Sequence, residues 1–472
     1  MGLPEPVGLQ VDVLYLEERG HYVVLGTAGS GKTTLATLRA AYLAKMACDD
    51  NERVMLVTFN RALVTFLNSL IDRNLRNLDV VNYHKFARGY LASRGLMGSH
   101  DIVPSYNKFY WTKNELIKKA YQLVKNEESS IVLERDVEVF IEEINWIQKM
   151  GITNLDEYEQ VDRIGRGSTR IKRASRKYFF RVYEEYLRIR KENNRKYDLE
   201  DLAYYVKEEL DRDGSPRRYK HIIIDEGQDF SPTMLQSLSK AIPSNGSLTY
   251  FGDVAQQIYG GRLSWRSAGI TNPQIWEFRQ NYRNTLQIAK LGLAISRMPY
   301  FKGDVDLIEP KFPRAAGPLP ALLYFKNEKA ELKYIIEQVS ELSETETVAI
   351  LVRDRGTVSL IMDKLGLAGV GAQVLDRNLR SLDQTPGVSV GTYHSAKGLE
   401  FDNVFLPFCN VERLPSQDKI ISLESREEAL NEEIKLIYVG VTRAKRSLSI
   451  SYTGELTEML PLVDGLYQEF EL

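Results

Sequence analysis

An α/β fold built on parallel sheets is expected from three observations. The run Gly26-Thr27-Ala28-Gly29-Ser30-Gly31-Lys32-Thr33 lies between a short apolar stretch, Tyr22 to Leu25, and a stretch from Thr34 to Ala41 that reads as a helix. Far along the chain, Ile222-Ile223-Ile224 ends in Asp225 and Glu226, the pattern of a central parallel strand that delivers acids to the carboxyl edge of its sheet. Strand-like runs such as Val54 to Val57 and Thr347 to Val352 alternate with helical ones such as Val358 to Leu365, as in sheets covered by helices.

The first run has the G-x-x-x-x-G-K-[ST] spacing. Gly26, Gly29 and Gly31, with Ala28 and Ser30 between them, let successive backbone N–H groups face phosphate oxygens. Lys32 reaches the β and γ oxygens, Thr33 ligates Mg²⁺, and Thr34 continues into a helix whose N-terminal dipole adds to the anion site. ATP and Mg²⁺ are therefore the expected cofactors. At the end of the second run, Asp225 is suited to hold Mg²⁺ through water and Glu226 to polarise the attacking water. The plainer readings are a Gly-rich turn and a strand ending in solvated acids. The strand, loop and helix context weakens the first, and the upstream loop weakens the second.

With 472 residues, 43% of them hydrophobic, the chain is long enough for roughly two to four domains. No apolar run approaches the length of a membrane span, and Met1 to Glu5 lacks the basic and apolar regions of a signal peptide, so a cytoplasmic protein with no membrane partner is expected. Cys48 and Cys409 stand far apart and away from metal-ligand partners, which argues against a disulfide framework or a zinc site. The net charge of −2 is unevenly distributed: residues 163–196 hold thirteen Lys or Arg against three acids. Interleaved Tyr178, Phe179, Phe180, Tyr183 and Tyr186 suggest a helix with one buried aromatic side and one positive side suited to a phosphate backbone. Arg170 and Arg173 are candidate contacts there, a solvated face being the plain alternative.

Further runs narrow the kind of machine. In order they are Leu248 to Tyr259, Trp265-Arg266-Ser267-Ala268, Phe278 to Asn284, Val390 to Asp402 and Ile437 to Lys445. This ordered set, with the two runs above, resembles the UvrD/Rep/PcrA family of superfamily 1 DNA helicases from about Gln10 to Tyr452. The resemblance implies two RecA-like P-loop motor domains with parallel sheets, plus a helical 1B insertion. It also implies roles. Gln10, 22 residues before Lys32, stands where the family reads adenine, Tyr282 where it stacks on that base, and Glu400 near the ribose. Arg283 and Arg443 look like the arginines that approach the γ-phosphate, and Gln256 like its sensor. On the DNA side Phe59, Asn60, His84, Tyr259, Trp265, Arg266, Thr392 and His394 match positions over which bases pass, and stacking on aromatic faces suits a motor that tolerates every sequence. Core packing is the plain alternative for Phe59 and Tyr259.

Three departures stand out. Gly227 occupies a place where the family has a bulkier side chain, which suggests a looser loop; residues 260–264 alter the spacing before Trp265; and the interval between the 347–352 strand and Val388 has no room for the family's 2B domain. The expected division is 1–89 with 196–285 as the first motor domain, 90–195 as the helical insertion (helices at 111–124, 131–150 and 175–191) and 286–472 as the second motor domain, with no fused nuclease after Tyr452. The resemblance implies ATP-driven 3′ to 5′ movement on single-stranded DNA, or on a duplex with a single-stranded tail. The alternative is an ATP-gated DNA-sensing subunit that controls a partner nuclease or repair factor, as in two-gene anti-phage systems such as Gabija.

Overall fold

The computed structural model describes residues 5–27, 29–71, 75–104, 111–163, 171–253, 265–278, 284–301, 315–375 and 385–472. Two all-parallel sheets organise them. The first joins β1 (Gly20–Gly26), β2 (Arg53–Thr58), β3 (Leu78–Asn82), β4 (Tyr219–Ile224), β5 (Ser247–Asp253) and β6 (Gln274–Phe278) in the order β3-β2-β4-β5-β1-β6. The second joins β7 (Ala321–Phe325), β8 (Thr347–Val352), β9 (Ala372–Val374), β10 (Gly387–Thr392), β11 (Phe401–Leu406), β12 (Ala444–Thr453) and β13 (Gln468–Glu471) in the order β13-β7-β12-β11-β8-β10-β9. The strands β5 and β8 are buried at every position, as in parallel sheets covered on both faces, and β8 accordingly shows an apolar run from Val348 to Val352 rather than an alternating pattern.

Helices cover the sheets and begin where side chains accept the first free N–H groups. Asn60 accepts from Ala62 N to open Arg61–Leu70, and Asn82 accepts from Lys85 N to open Tyr83–Ser93. Ser231 caps Pro232–Lys240, whose first residue is the proline that position favours. The two halves touch closely at Gly398, where an added Cβ would lie 2.6 Å from Leu63 Cδ2.

Residues between β3 and β4 form a helical layer with a core of its own, including Ile117, Phe140, Ile144, Phe179 and Tyr186. Thr112 and Glu115 form a reciprocal cap, so the expected helix at 111–124 starts at Lys113 and runs to Glu127. The helix expected over 131–150 is divided: Ile131–Glu134 is a 3-10 turn, and Asp136 then accepts from Glu138 N to start Val137–Met150. The helix expected over 175–191 spans Arg176–Glu192, and its aromatic side is buried, with Phe140 stacked on Phe179 at 4.3 Å.

This layer is tied by buried charge to the segment that leads into the helix Leu202–Arg212, which packs on the first sheet. Arg190 meets Asp198 at 3.0 Å and also bonds Asp201, while Lys113 Nζ reaches Asp198 at 3.2 Å and Gln148 at 2.6 Å. Arg190→Ala is expected to destabilise the protein by about 3 to 5 kcal/mol, because it leaves two buried carboxylates short of their partner. A urea titration followed by tryptophan fluorescence checks this, since Trp146 lies in the same helical layer.

Between β8 and β10 the chain forms only the helix Arg355–Leu367 and short β9, with residues 376–384 outside the description. Among the described residues no helix is long and apolar enough to cross a membrane.

Candidate nucleotide and nucleic-acid site

The carboxyl ends of β1, β4 and β5 meet at one sheet edge, because β5 pairs with both β1 and β4. Open parallel sheets bind ligands at such edges. After Gly26 the chain turns through Gly29 and Gly31, both left-handed with φ of +79° and +81°, then enters the helix Lys32–Met46. Gln10 Nε2 donates to Ser30 O at 3.1 Å, so the expected adenine reader lies against the phosphate loop. Lys32 Nζ curls back to donate to Gly26 O at 2.9 Å and Thr27 O at 2.7 Å, with Asp253 Oδ2 at 3.9 Å. Thr34 follows on the first turn of the helix, half-buried.

Thr33 Oγ1 donates to Asp225 Oδ1 at 3.3 Å, while Asp225 Oδ2 is buried without a hydrogen-bond partner among the described residues. Burial first, and then the Glu226 charge, push the Asp225 carboxyl up to about 7. A buried carboxylate oxygen with no donor is stabilised by a cation, so this pair fits Mg²⁺.

Glu226 behaves differently. Burial on its own would raise its carboxyl, but Lys397, Arg443 and Lys32 outweigh that and hold it below the ordinary range. Gln228 Nε2 donates to Glu226 Oε2 at 2.5 Å, and Gln228 Oε1 accepts from Asp253 N at 2.9 Å. Two adjacent carboxyls pushed in opposite directions are suited to separate tasks.

The strongest of those cations on Glu226 comes from the other half of the chain. Lys397, buried after β10, places Nζ 2.5 Å from Asp229 Oδ1. The sequence reading has this lysine inside the run Val390 to Asp402 but gives it no role, and its burial among Ala396 to Leu399 shows only in the fold. Arg443 is also buried; it donates to Val439 O at 3.0 Å, Thr442 Oγ1 at 3.1 Å and Leu399 O at 3.3 Å. Glu400 lines a cavity of about 280 Å³ with Phe66, Thr347 and Ser389.

Of the expected base-contacting residues, the structure gathers two tightly. Phe59, 37% exposed, sets its ring 5.5 Å from His84 and 6.3 Å from Phe230, so it is an open aromatic edge and not a core residue. Asn60 Nδ2 donates to Ser395 O at 3.1 Å and Lys397 O at 2.9 Å, which ties this edge to the segment carrying Thr392 and His394. Thr392 Oγ1 accepts from Ser395 N at 3.2 Å. His394 keeps an exposed edge, yet its crowded surroundings first, and then Arg353, Lys397 and Lys419, push its imidazole down to about 4. Burial likewise lowers His84. Trp265 is half-buried with its ring 5.1 Å from Tyr250, and Arg266 is exposed. Ala28, Arg170, Gln256, Tyr259, Tyr282 and Arg283 lie outside the described residues.

Two expectations need correction. The basic run is not one positive face. Arg163 bonds buried Glu143 at 2.5 Å, and Arg188 bonds Glu185 at 2.5 Å as well as Glu192. Arg176 is buried and donates to Glu159 O at 3.0 Å and Val161 O at 2.8 Å, and Arg190 belongs to the network above. Lys172, Arg173 and Lys177 remain exposed at the start of the helix. Nor is the loop at Gly227 loose: the residue is buried, and a Cβ there would lie 2.2 Å from Tyr250 Cε2.

Known proteins resemble this chain in sequence. A family model described as the UvrD/REP helicase N-terminal domain matches residues 10–283, and one described as the UvrD-like helicase C-terminal domain matches residues 371–455. A probable DNA helicase of Mycoplasma pneumoniae is 26% identical over 463 residues, covering 91% of this chain and 80% of the relative. The ATP-dependent DNA helicase UvrD2 of Mycobacterium tuberculosis is 23% identical over 551 residues, covering 93% of this chain and 77% of the relative. The putative ATP-dependent DNA helicase YjcD of Bacillus subtilis is 25% identical over 407 residues; these are 79% of this chain but only 50% of that longer protein. With more than half of its length matched by the first model alone, on a fold of two parallel-sheet units, the chain belongs to the UvrD/Rep family of DNA helicases.

Proposed function

We propose that the chain is an ATP-driven motor that moves 3′ to 5′ along single-stranded DNA and separates duplexes bearing a single-stranded tail. The observation that carries this reading is the contact across the cleft beside Glu226, where Lys397 from the second half meets Asp229 Oδ1 at 2.5 Å, with Arg443 of that half and Lys32 of the first also acting on the Glu226 charge. A cleft so arranged senses whether the halves are together, which is what a motor needs in order to convert hydrolysis into movement. The division into 1–89 with 196–285, 90–195 and 286–472 follows the same reading, as does a cytoplasmic location.

In this mechanism the phosphate loop and Lys32 hold the triphosphate, and Gln10 fixes the base. Thr33 and Asp225 would hold Mg²⁺, which when bound neutralises phosphate charge. Glu226, kept ionised, accepts a hydrogen bond from the water that attacks the γ-phosphorus and takes up its proton, so that the new P–O bond forms as the bridging bond to ADP breaks. Arg443, with Arg283 by family resemblance, offsets charge that develops on the phosphoryl oxygens. Phe59 and His84 on one half, and Thr392 and His394 on the other, are the surfaces over which a base steps.

ATPase activity measured with single-stranded DNA, duplex DNA and RNA tests the reading; a clear preference for single-stranded DNA is expected, and equal response to all three overturns it. The same material tests the basic residues. Lys172, Arg173 and Lys177 changed together to Ala should weaken single-strand binding and flatten its log–log salt slope by about 0.7 for each phosphate no longer neutralised. An unaltered slope means that these residues face water.

The short interval between β8 and β10 favours a second reading, in which the chain gates a partner nuclease in anti-phage defence and unwinds little alone. Strand separation with and without a candidate partner nuclease distinguishes the two.

A further inference from the structure

We infer that Tyr250 is a positioning residue for Glu226: its ring fills the space a side chain at residue 227 would take, and wedges the turn that carries Glu226, Gln228 and Asp229. The inference rests on Glu226 being the group that polarises water.

The geometry begins with two glycines that are not there for backbone freedom. Neither Gly227 nor Gly252 adopts a left-handed φ. Each is required by the same ring. A Cβ at residue 227 would lie 2.2 Å from Tyr250 Cε2, and one at residue 252 would lie 2.5 Å from Tyr250 Cε1. The ring therefore sits between the catalytic turn and its own strand with both neighbours stripped of side chains. Trp265 closes a further side, its ring 5.1 Å away at 71°.

What the wedge supports is a strained turn. Glu226 holds a φ of +54°, a left-handed conformation that a residue with a side chain keeps only where its surroundings enforce it. Among the described residues three restraints do so. Gln228 ties Glu226 to the end of β5, Lys397 pins Asp229 from the opposite half, and the Tyr250 ring blocks collapse of the peptide between them. Gly227 has no side chain of its own to fill the gap, and glycine is the most permissive residue in the backbone. Removing the ring leaves Glu226 free to relax to an ordinary conformation, away from the attacking water.

The test uses the full chain, with ATPase rates measured across ATP concentrations, with and without single-stranded DNA. Tyr250→Val should lower kcat by about tenfold to a hundredfold, as for a misplaced catalytic group, with KM changed little because the phosphate loop and Gln10 are untouched. Adding Gly227→Phe to that variant refills the space from the other side and should restore much of the lost kcat. Gly227→Ala alone, which forces a methyl group against an intact ring, should itself reduce kcat, and it serves if the valine variant does not fold. Wild-type kcat in Tyr250→Val or in Gly227→Ala overturns the inference. So does a loss of kcat that tracks the folded fraction and is not relieved by Gly227→Phe, because Tyr250 would then be core packing only. Failure of the underlying reading shows separately, as full turnover in Glu226→Gln with Tyr250 intact.

Discussion

Glu226→Gln should all but abolish ATP turnover while leaving ATP bound. The amide keeps the size of the side chain and can still meet Gln228, but it cannot carry the negative charge that Lys397, Arg443 and Lys32 stabilise together. A positioned general base contributes on the order of 10² to 10⁴ in rate, so the loss should lie in that range and appear in kcat. Lys32→Ala should stop turnover by a different route. Its ammonium is already held beside the phosphate loop by Gly26 O and Thr27 O, and removing it takes away the cation that meets the phosphates, so ATP affinity should fall as well. Fluorescent-nucleotide titration beside a phosphate-release assay separates the two. Near wild-type turnover in either variant would sink the site as described.

The second large effect is expected at Arg443. The residue is buried in the half of the chain opposite the phosphate loop, and its charge is felt at Glu226. An arginine that meets a transferring phosphoryl group is worth about 10³ or more in kcat, so Arg443→Ala should lower hydrolysis by that factor with a smaller change in ATP affinity. Alanine also leaves Val439 O, Leu399 O and Thr442 Oγ1 without this donor, so a thermal melt must accompany it. Arg443→Lys retains the charge but not the planar fork, and should fall between wild type and alanine. If affinity collapses while kcat survives, Arg443 holds nucleotide and does not act on the phosphoryl group.

Much of this is legible in the sequence. The strands at 22–25, 54–57, 222–224 and 347–352 lie inside β1, β2, β4 and β8, because buried parallel strands leave unbroken apolar runs that no surface helix would show. The phosphate loop and paired acids are legible because their chemistry imposes a fixed spacing. What escapes depends on the meeting of distant segments. Lys397 reads as one cation among many until the fold sets it beside Asp229. Gly227 reads as slack until the Tyr250 ring is seen to need the space. The basic run misleads because sequence records which charges are present and not whom they face: Arg176 and Arg190 look like surface residues by type, yet carbonyls and carboxylates inside the helical layer surround them. Even the division of the 131–150 helix turns on one side chain, Asp136, that helical periodicity does not weigh.

The strand order β3-β2-β4-β5-β1-β6 has a consequence for how the chain is born. β1 is not bonded to β2, which follows it; its partners are β5 and β6. When β1 leaves the ribosome, the nearest strand able to flank it has yet to be made, and at roughly 5 to 20 residues per second the wait until Asp253 lasts on the order of ten to fifty seconds. The helical layer, complete by Glu192, has time to condense on its own core while β1 to β3 remain without half of their sheet. Apolar strands idle for that long are candidates for holding by chaperones. By the same logic a nascent chain halted before β5 has every residue of the phosphate loop and no strand to hold it in shape, so nucleotide binding should arise late and abruptly during synthesis.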